Sequence, residues 1–119
     1  MLPINAPSEN EKLEALEGAI VTCADNIRVI RSDVFAASES VIEATSALKR
    51  AELQAMNSGA VTGSNETIRK AQLAEITLPE SEALTAAQKR ERMARFDYDT
   101  LNNEFDVLRY RLRIAELMH

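Results

Sequence analysis

Asn65, Arg69 and Gln72 are the residues of this chain whose types and spacing come closest to a binding site. They follow the turn-forming pair Gly63-Ser64, and their spacing lets Arg69 and Gln72 fall near one another on one helix face. Arg69 presents a planar fork of donors suited to carboxylate or phosphate, and a helix N-terminus beside it adds free N–H groups. Such a cluster could hold an anion, or it could pin its own segment to the fold through carboxylate and backbone carbonyl contacts. Lys89, Arg90, Arg92 and Arg95 form a basic cluster further on, and Arg109, Arg111 and Arg113 form another. Basic surfaces of this kind are what phosphate contact requires. Asp97, Asp99, Glu104 and Asp106 stand between the clusters, however, and the net charge of the chain is -5, which disfavours nonspecific coating of nucleic acid. Arginines two positions apart point in different directions, so ion pairs to Glu14, Glu17, Glu39 or Glu43 on a neighbouring helix are their expected use.

Catalytic groups are sparse. His119 is the single histidine and stands last in the sequence, so neither a histidine-activated nucleophile nor a multi-imidazole zinc site has its parts. Cys23 is the single cysteine and is expected to be a buried thiol. The pairs Asp97/Asp99 and Glu104/Asp106 are two positions apart, do not face each other on a helix, and are read as solvated. No phosphate-binding glycine loop, dinucleotide fingerprint or Cys-Cys metal spacing occurs. The expectation is a chain that is not an enzyme, with no cofactor and no metal.

The elements that must carry these residues are marked by one pattern. Apolar or small residues recur at spacings of three and four through Leu13, Leu16, Ile20, Cys23, Ile27, Ile30 and Val34, and on through Ala37, Val41, Ala44, Leu48, Ala51 and Ala55. A register held for about six heptads is that of a long helix packed lengthwise against others. A second run follows through Ala87, Glu91, Ala94, Tyr98, Leu101, Phe105, Leu108, Leu112 and Ala115, with Met93, Val107, Ile114 and Leu117 widening it toward a neighbouring face. Helices of these lengths would be roughly 65–70 Å and 50–60 Å long, too long for a compact monomer of about 13 Å radius of gyration. Two antiparallel helices can cover each other's seam but leave the flanking apolar positions wet. Pairing of two hairpins into a four-helix arrangement is the simplest closed solution. The residues expected on the oligomer seam are Ile20, Ile27, Ile30, Val34, Val41 and Leu48 from the first run, with Ala94, Tyr98, Leu101, Phe105, Leu108 and Leu112 from the second.

Capping signals place the boundaries. Ser8 with Glu11 makes a capping box after a leader over residues 1–7, expected to be flexible. The first helix should run over about 9–57 and stop at Asn57-Ser58-Gly59, where glycine can take the left-handed cap. Gly18 inside it costs about 1 kcal/mol relative to alanine, so the segment before it is expected to fray or to form a separate short turn. The connector carries a short helix over about 66–74, and Thr77-Leu78-Pro79-Glu80 supplies a second capping box for a helix over about 79–117. Residues 8–119 are read as one helical domain.

The run Thr62-Gly63-Ser64-Asn65-Glu66-Thr67-Ile68-Arg69-Lys70-Ala71-Gln72-Leu73, with the charged helix that ends Leu108-Arg109-Tyr110-Arg111-Leu112-Arg113-Ile114-Ala115-Glu116-Leu117, resembles a family of small helical proteins of phages and prophages. Gly63, Asn65, Arg69, Gln72 and Leu73 match the family's pattern, whereas Ser64 stands where lysine is common. The resemblance covers about half of the chain and implies an accessory role in a virus or mobile element. It carries no assigned activity.

The 119 residues leave room for one small domain, and the apolar fraction of 45% is ordinary for a folded chain. No apolar run is long enough to cross a membrane and no secretory signal opens the sequence, so residence is expected to be cytoplasmic, with no membrane partner. The expected fold is all-α: two long helices in an antiparallel, coiled-coil-like hairpin with a short connector helix, assembling as a bundle. The leading function is a non-enzymatic, oligomeric scaffold or adaptor. Its expected partners are further copies of the chain, as a homodimer or higher homo-oligomer, and another protein. The alternative is a small-ligand or nucleic-acid-binding accessory protein using the connector and the basic clusters.

Overall fold

The computed structural model describes residues 8–118. The leader expected over 1–7, and His119, lie outside the described residues. The chain is all-α, with α1 (Glu9–Asn57), α2 (Glu66–Ile76) and α3 (Leu78–Met118). α1 packs against α3 as the two arms of an antiparallel hairpin, and α2 belongs to the connector.

Each helix end follows from its residues. Ser8 and Glu11 form the reciprocal box that opens α1: the Glu11 N–H donates to Ser8 Oγ at 3.1 Å and the Ser8 N–H to Glu11 Oε2 at 3.3 Å. α1 runs on through Gly18 without interruption. It closes on Gly59 at φ 76°, with the Ala60 N–H reaching back to the Ala55 carbonyl at 3.2 Å, the six-to-one bond of a glycine-capped helix end. α2 is opened by Asn65, whose Oδ1 accepts from the Ile68 N–H at 2.9 Å.

The start of α3 departs from expectation. α2 continues to Ile76, two residues beyond Ala74, and α3 begins at Leu78, which leaves Thr77 as the whole joint. Thr77 is therefore spent on the helix behind it: its Oγ1 donates to the Leu73 carbonyl at 2.8 Å, and its N–H to the same carbonyl at 3.0 Å. Among the described residues no capping box forms with Glu80. Glu80 Oε2 is buried without a hydrogen-bond partner among the described residues. Pro79 still falls in the first turn, where its missing N–H costs nothing.

The packing divides into two compact units, residues 33–94 and the remainder. In the unit made of the start of α1 and the end of α3, Cys23 and Ile27 are buried. Half-buried Leu13, Leu16, Ile20 and Ile30 flank them on α1, and Tyr98, Leu101, Phe105, Leu108, Leu112 and Ala115 line α3. In the other unit the buried residues are Ala37, Ala55, Ala87 and Thr77. Val34, Val41, Ala44, Leu48 and Ala51 of α1, Leu73 of α2, and Leu84, Glu91 and Ala94 of α3 are half-buried. Alanines at these positions let helix axes approach closely, since interaxial distance is set by the side chains at the contact. The three-four seam is thus occupied within the chain, one arm of the hairpin against the other.

Candidate functional site

The connector cluster is built around Gly63. Gln72 Oε1 accepts from the N–H groups of Thr62 at 2.9 Å and Gly63 at 2.8 Å, and Arg69 Nη1 donates to the Gly63 carbonyl at 3.3 Å. Asn65 caps α2, as described. All three side chains singled out by the sequence are brought together, and each is bonded to backbone of its own segment. The approach is close: a Cβ on Gly63 would stand 2.5 Å from Ile68 Cγ2 and 3.0 Å from the Arg69 backbone nitrogen. Only glycine lets the loop lie on the first turn of α2.

Lys89, Arg90 and Arg92 are exposed on α3, and no hydrogen bond or ion pair joins them to the connector cluster among the described residues. Lys89 and Arg92, three apart, share a side of the helix, and Arg90 turns away from them. Ion pairs from the arginines of α3 to Glu14, Glu17, Glu39 or Glu43 are not what the structure forms for Arg90, Arg92, Arg109, Arg111 or Arg113. The ion pairs seen are local to one helix, such as Lys12 with Glu9, Arg28 with Asp25 and Lys70 with Glu66. Arg109 instead lies over the Phe105 ring, its guanidinium carbon 5.8 Å from the centroid. Glu91 and Arg95 are both engaged in interactions.

Two titratable groups on the seam are perturbed. Burial pushes the Cys23 thiol above its ordinary value, and the Glu104 carboxylate pushes the same way. Its Sγ donates to the Leu101 carbonyl at 3.5 Å, so Cys23 is a buried, protonated thiol rather than a nucleophile. The polar groups of Asn102 and Arg31, with the positive charge of Arg31, hold the Tyr98 phenol below its ordinary value. Among the described residues no group of three or more His, Cys, Asp or Glu is arranged to hold a metal ion. No helix among them is long and apolar enough to cross a membrane. The end of α3 carries a surface depression lined by Asp106, Arg109, Tyr110, Leu112, Arg113 and Glu116. These residues all lie on one helix, which offers no second wall to close a pocket.

The outward side of α3 carries the strongest remaining signal. Phe96, Val107, Tyr110, Ile114 and Leu117 are exposed, Phe96 by 70%, Tyr110 by 67% and Leu117 by 81%. With Thr100 and Asn103 they follow one another at alternating spacings of four and three, the periodicity of a helix-packing stripe. At about 100° per residue this stripe stands about 160° around the helix from the Tyr98–Leu101–Phe105–Leu108 seam. Val107, Ile114 and Leu117 therefore do not widen the seam toward a neighbouring face. They belong to the opposite one, together with Phe96 and Tyr110, which the seam pattern does not single out. The signal for them is the repeat of one heptad position at Phe96, Asn103, Tyr110 and Leu117. On α1 the exposed apolar side chains include Val21 in one unit and Phe35 and Ile42 in the other.

The fold and its surface define a class: a helical hairpin whose polar cluster serves its own connector and whose outward side carries exposed apolar residues among charged ones. No protein-family model, curated protein or solved structure matches the chain.

Proposed function

We propose that the chain is a non-enzymatic, homo-oligomeric helical scaffold or adaptor that works through protein contacts. The observation that carries this reading is that sixteen large apolar residues are exposed while no large side chain is fully buried among the described residues. Two helices cannot enclose a core between them, and a contiguous exposed apolar face on a folded chain marks an interaction surface. The turning of Arg69 and Gln72 back onto the loop at Gly63, and the use of Asn65 as the cap of α2, support the same reading, because these side chains hold the connector's own backbone. Encoding by a phage or prophage is part of this reading, supported by the resemblance of the connector segment.

Native mass spectrometry of the purified chain tests the reading against the alternative of a ligand-binding accessory protein. A ligand-free oligomer supports the scaffold. A retained small molecule or nucleic acid, lost on substitution of Arg69 or of Lys89 with Arg90 and Arg92, would overturn it.

A further inference from the structure

We infer that the outward face of α3 is the contact between two copies of this chain, and that the two α3 helices cross it antiparallel. The inference rests on the oligomeric reading above and adds the face, the direction and the register.

The face is a packing stripe without an occupant. Phe96, Val107, Tyr110, Ile114 and Leu117 hold the three-four spacing over about three heptads, and all five are exposed. The exposed side chains of Val107, Tyr110, Ile114 and Leu117 offer on the order of 500 Å² to a partner, which with the polar rim comes toward the ~800 Å² a side of a standard interface. A self-complementary patch is what a two-fold dimer requires, because the same residues must serve both sides.

The charges along its edges give the direction. One edge carries Asp97, Glu104 and Arg111, and the other Asp99, Asp106 and Arg113, so that each edge runs from acid to base along the helix. Asp106, Arg111 and Arg113 are in no ion pair within the chain among the described residues. An antiparallel pair centred between Leu108 and Arg109 sets Glu104 beside Arg111 of the second copy and Asp106 beside Arg113 of the second copy, each pair made twice. Val107 then packs on Tyr110 of the second copy at the centre, Asn103 on Ile114 and Thr100 on Leu117 toward the ends, and Phe96 projects past Met118 of the second copy. A parallel pair would keep one attractive contact, Asp106 beside Arg111 of the second copy, but would set Asp99 against Glu104 of the second copy, whereas the antiparallel pair makes only attractive ones. Charges beside a helical seam select orientation in this way.

The experiment uses Asn103→Cys and Ile114→Cys, each in a Cys23→Ala background, oxidised separately and as a mixture refolded together. In the proposed register Asn103 meets Ile114 of the second copy, whereas each residue stands about 16 Å along the helix from its own counterpart. A disulfide needs Cα atoms within about 7 Å. Covalent dimer in the mixture alone is the expected result. Covalent dimer from either single variant would mean a parallel pair, and none at all from a chain that is dimeric by light scattering would mean another face or register; either overturns this inference and leaves the oligomeric reading standing. A monomer overturns both. As a second measurement, Arg111→Glu with Arg113→Glu should weaken the dimer on the order of tenfold, and adding Glu104→Arg with Asp106→Arg should restore it. Unchanged affinity in the first variant contradicts the proposed pairing.

Discussion

The thiol of Cys23 donates to the carbonyl oxygen of Leu101 across 3.5 Å, joining α1 to a residue 78 positions further along the chain. The contact sits in the buried part of its unit, so the register of α1 on α3 is fixed there by a polar tie as well as by apolar packing. It also removes the thiol from chemistry, since burial and the Glu104 carboxylate both disfavour the thiolate.

Alkylation of Cys23 should therefore be slow in the folded chain and fast once it is unfolded, at the same pH. The linkage has a definite sign. A thiol whose folded pKa lies above its unfolded value of about 8.5 stabilises fully below that pH and loses the contribution as pH rises through the folded value. As pH rises from neutral through the alkaline range, the denaturation midpoint of the chain should decline relative to that of Cys23→Ala. Equal slopes in the two chains would contradict the assignment.

Tyr98 should behave in the opposite sense. Its phenol is held down by the polar groups of Asn102 and Arg31 and by the Arg31 charge. A depressed folded value means that the phenolate's contribution to stability is present above the unfolded value of about 10 and is lost as pH falls through the folded one. The near-ultraviolet phenolate titration of Arg31→Ala should move its earlier component to higher pH, and Tyr98→Phe should remove that component. A titration indifferent to Arg31 would sink this account.

Two glycines should respond in opposite directions to alanine. Gly18 lies in exposed helix with open space where a Cβ would go, so Gly18→Ala should stabilise by about 0.5–1 kcal/mol. At Gly63 the same change meets Ile68 and the Arg69 backbone, and should destabilise by about 1–3 kcal/mol while loosening the bonds to Gln72. Thermal unfolding and amide exchange at Thr62 and Gly63 read both effects.

Leu108 and Ala94 are half-buried on the inner side of α3, one in each packing unit. Aspartate at either place would put a charge into a helix seam, at about 2–3 kcal/mol for a partly desolvated carboxylate. Both variants should lose thermal stability, and full retention of the unfolding midpoint in both would contradict the packing.

Much of this architecture is legible in the sequence, and the reasons differ from residue to residue. Every position of the three-four pattern from Leu13 to Ala55 and from Ala87 to Ala115 is buried or half-buried, because a heptad register leaves a side chain little choice of face. Ser8 with Glu11, Gly59 and Asn65 show as caps because each satisfies its own neighbours. Thr77 does not, because the direction in which its hydroxyl bonds depends on how far α2 runs, and the pattern there stops short at Ala74. Arg69 and Gln72 are recognisable as neighbours, but spacing does not reveal that both turn back to Gly63. The outward face of α3 is half legible: Val107, Ile114 and Leu117 stand out as apolar. Thr100 and Asn103, polar members of the same stripe, interrupt the run that would have joined Phe96 to them.

The central claim is that this chain does not work alone. Size-exclusion chromatography with multi-angle light scattering on the purified protein measures it most directly. A mass of two or more chains, stable across a range of loading concentrations, is the predicted result. A single-chain mass at every concentration, with the helices intact by circular dichroism, would contradict it.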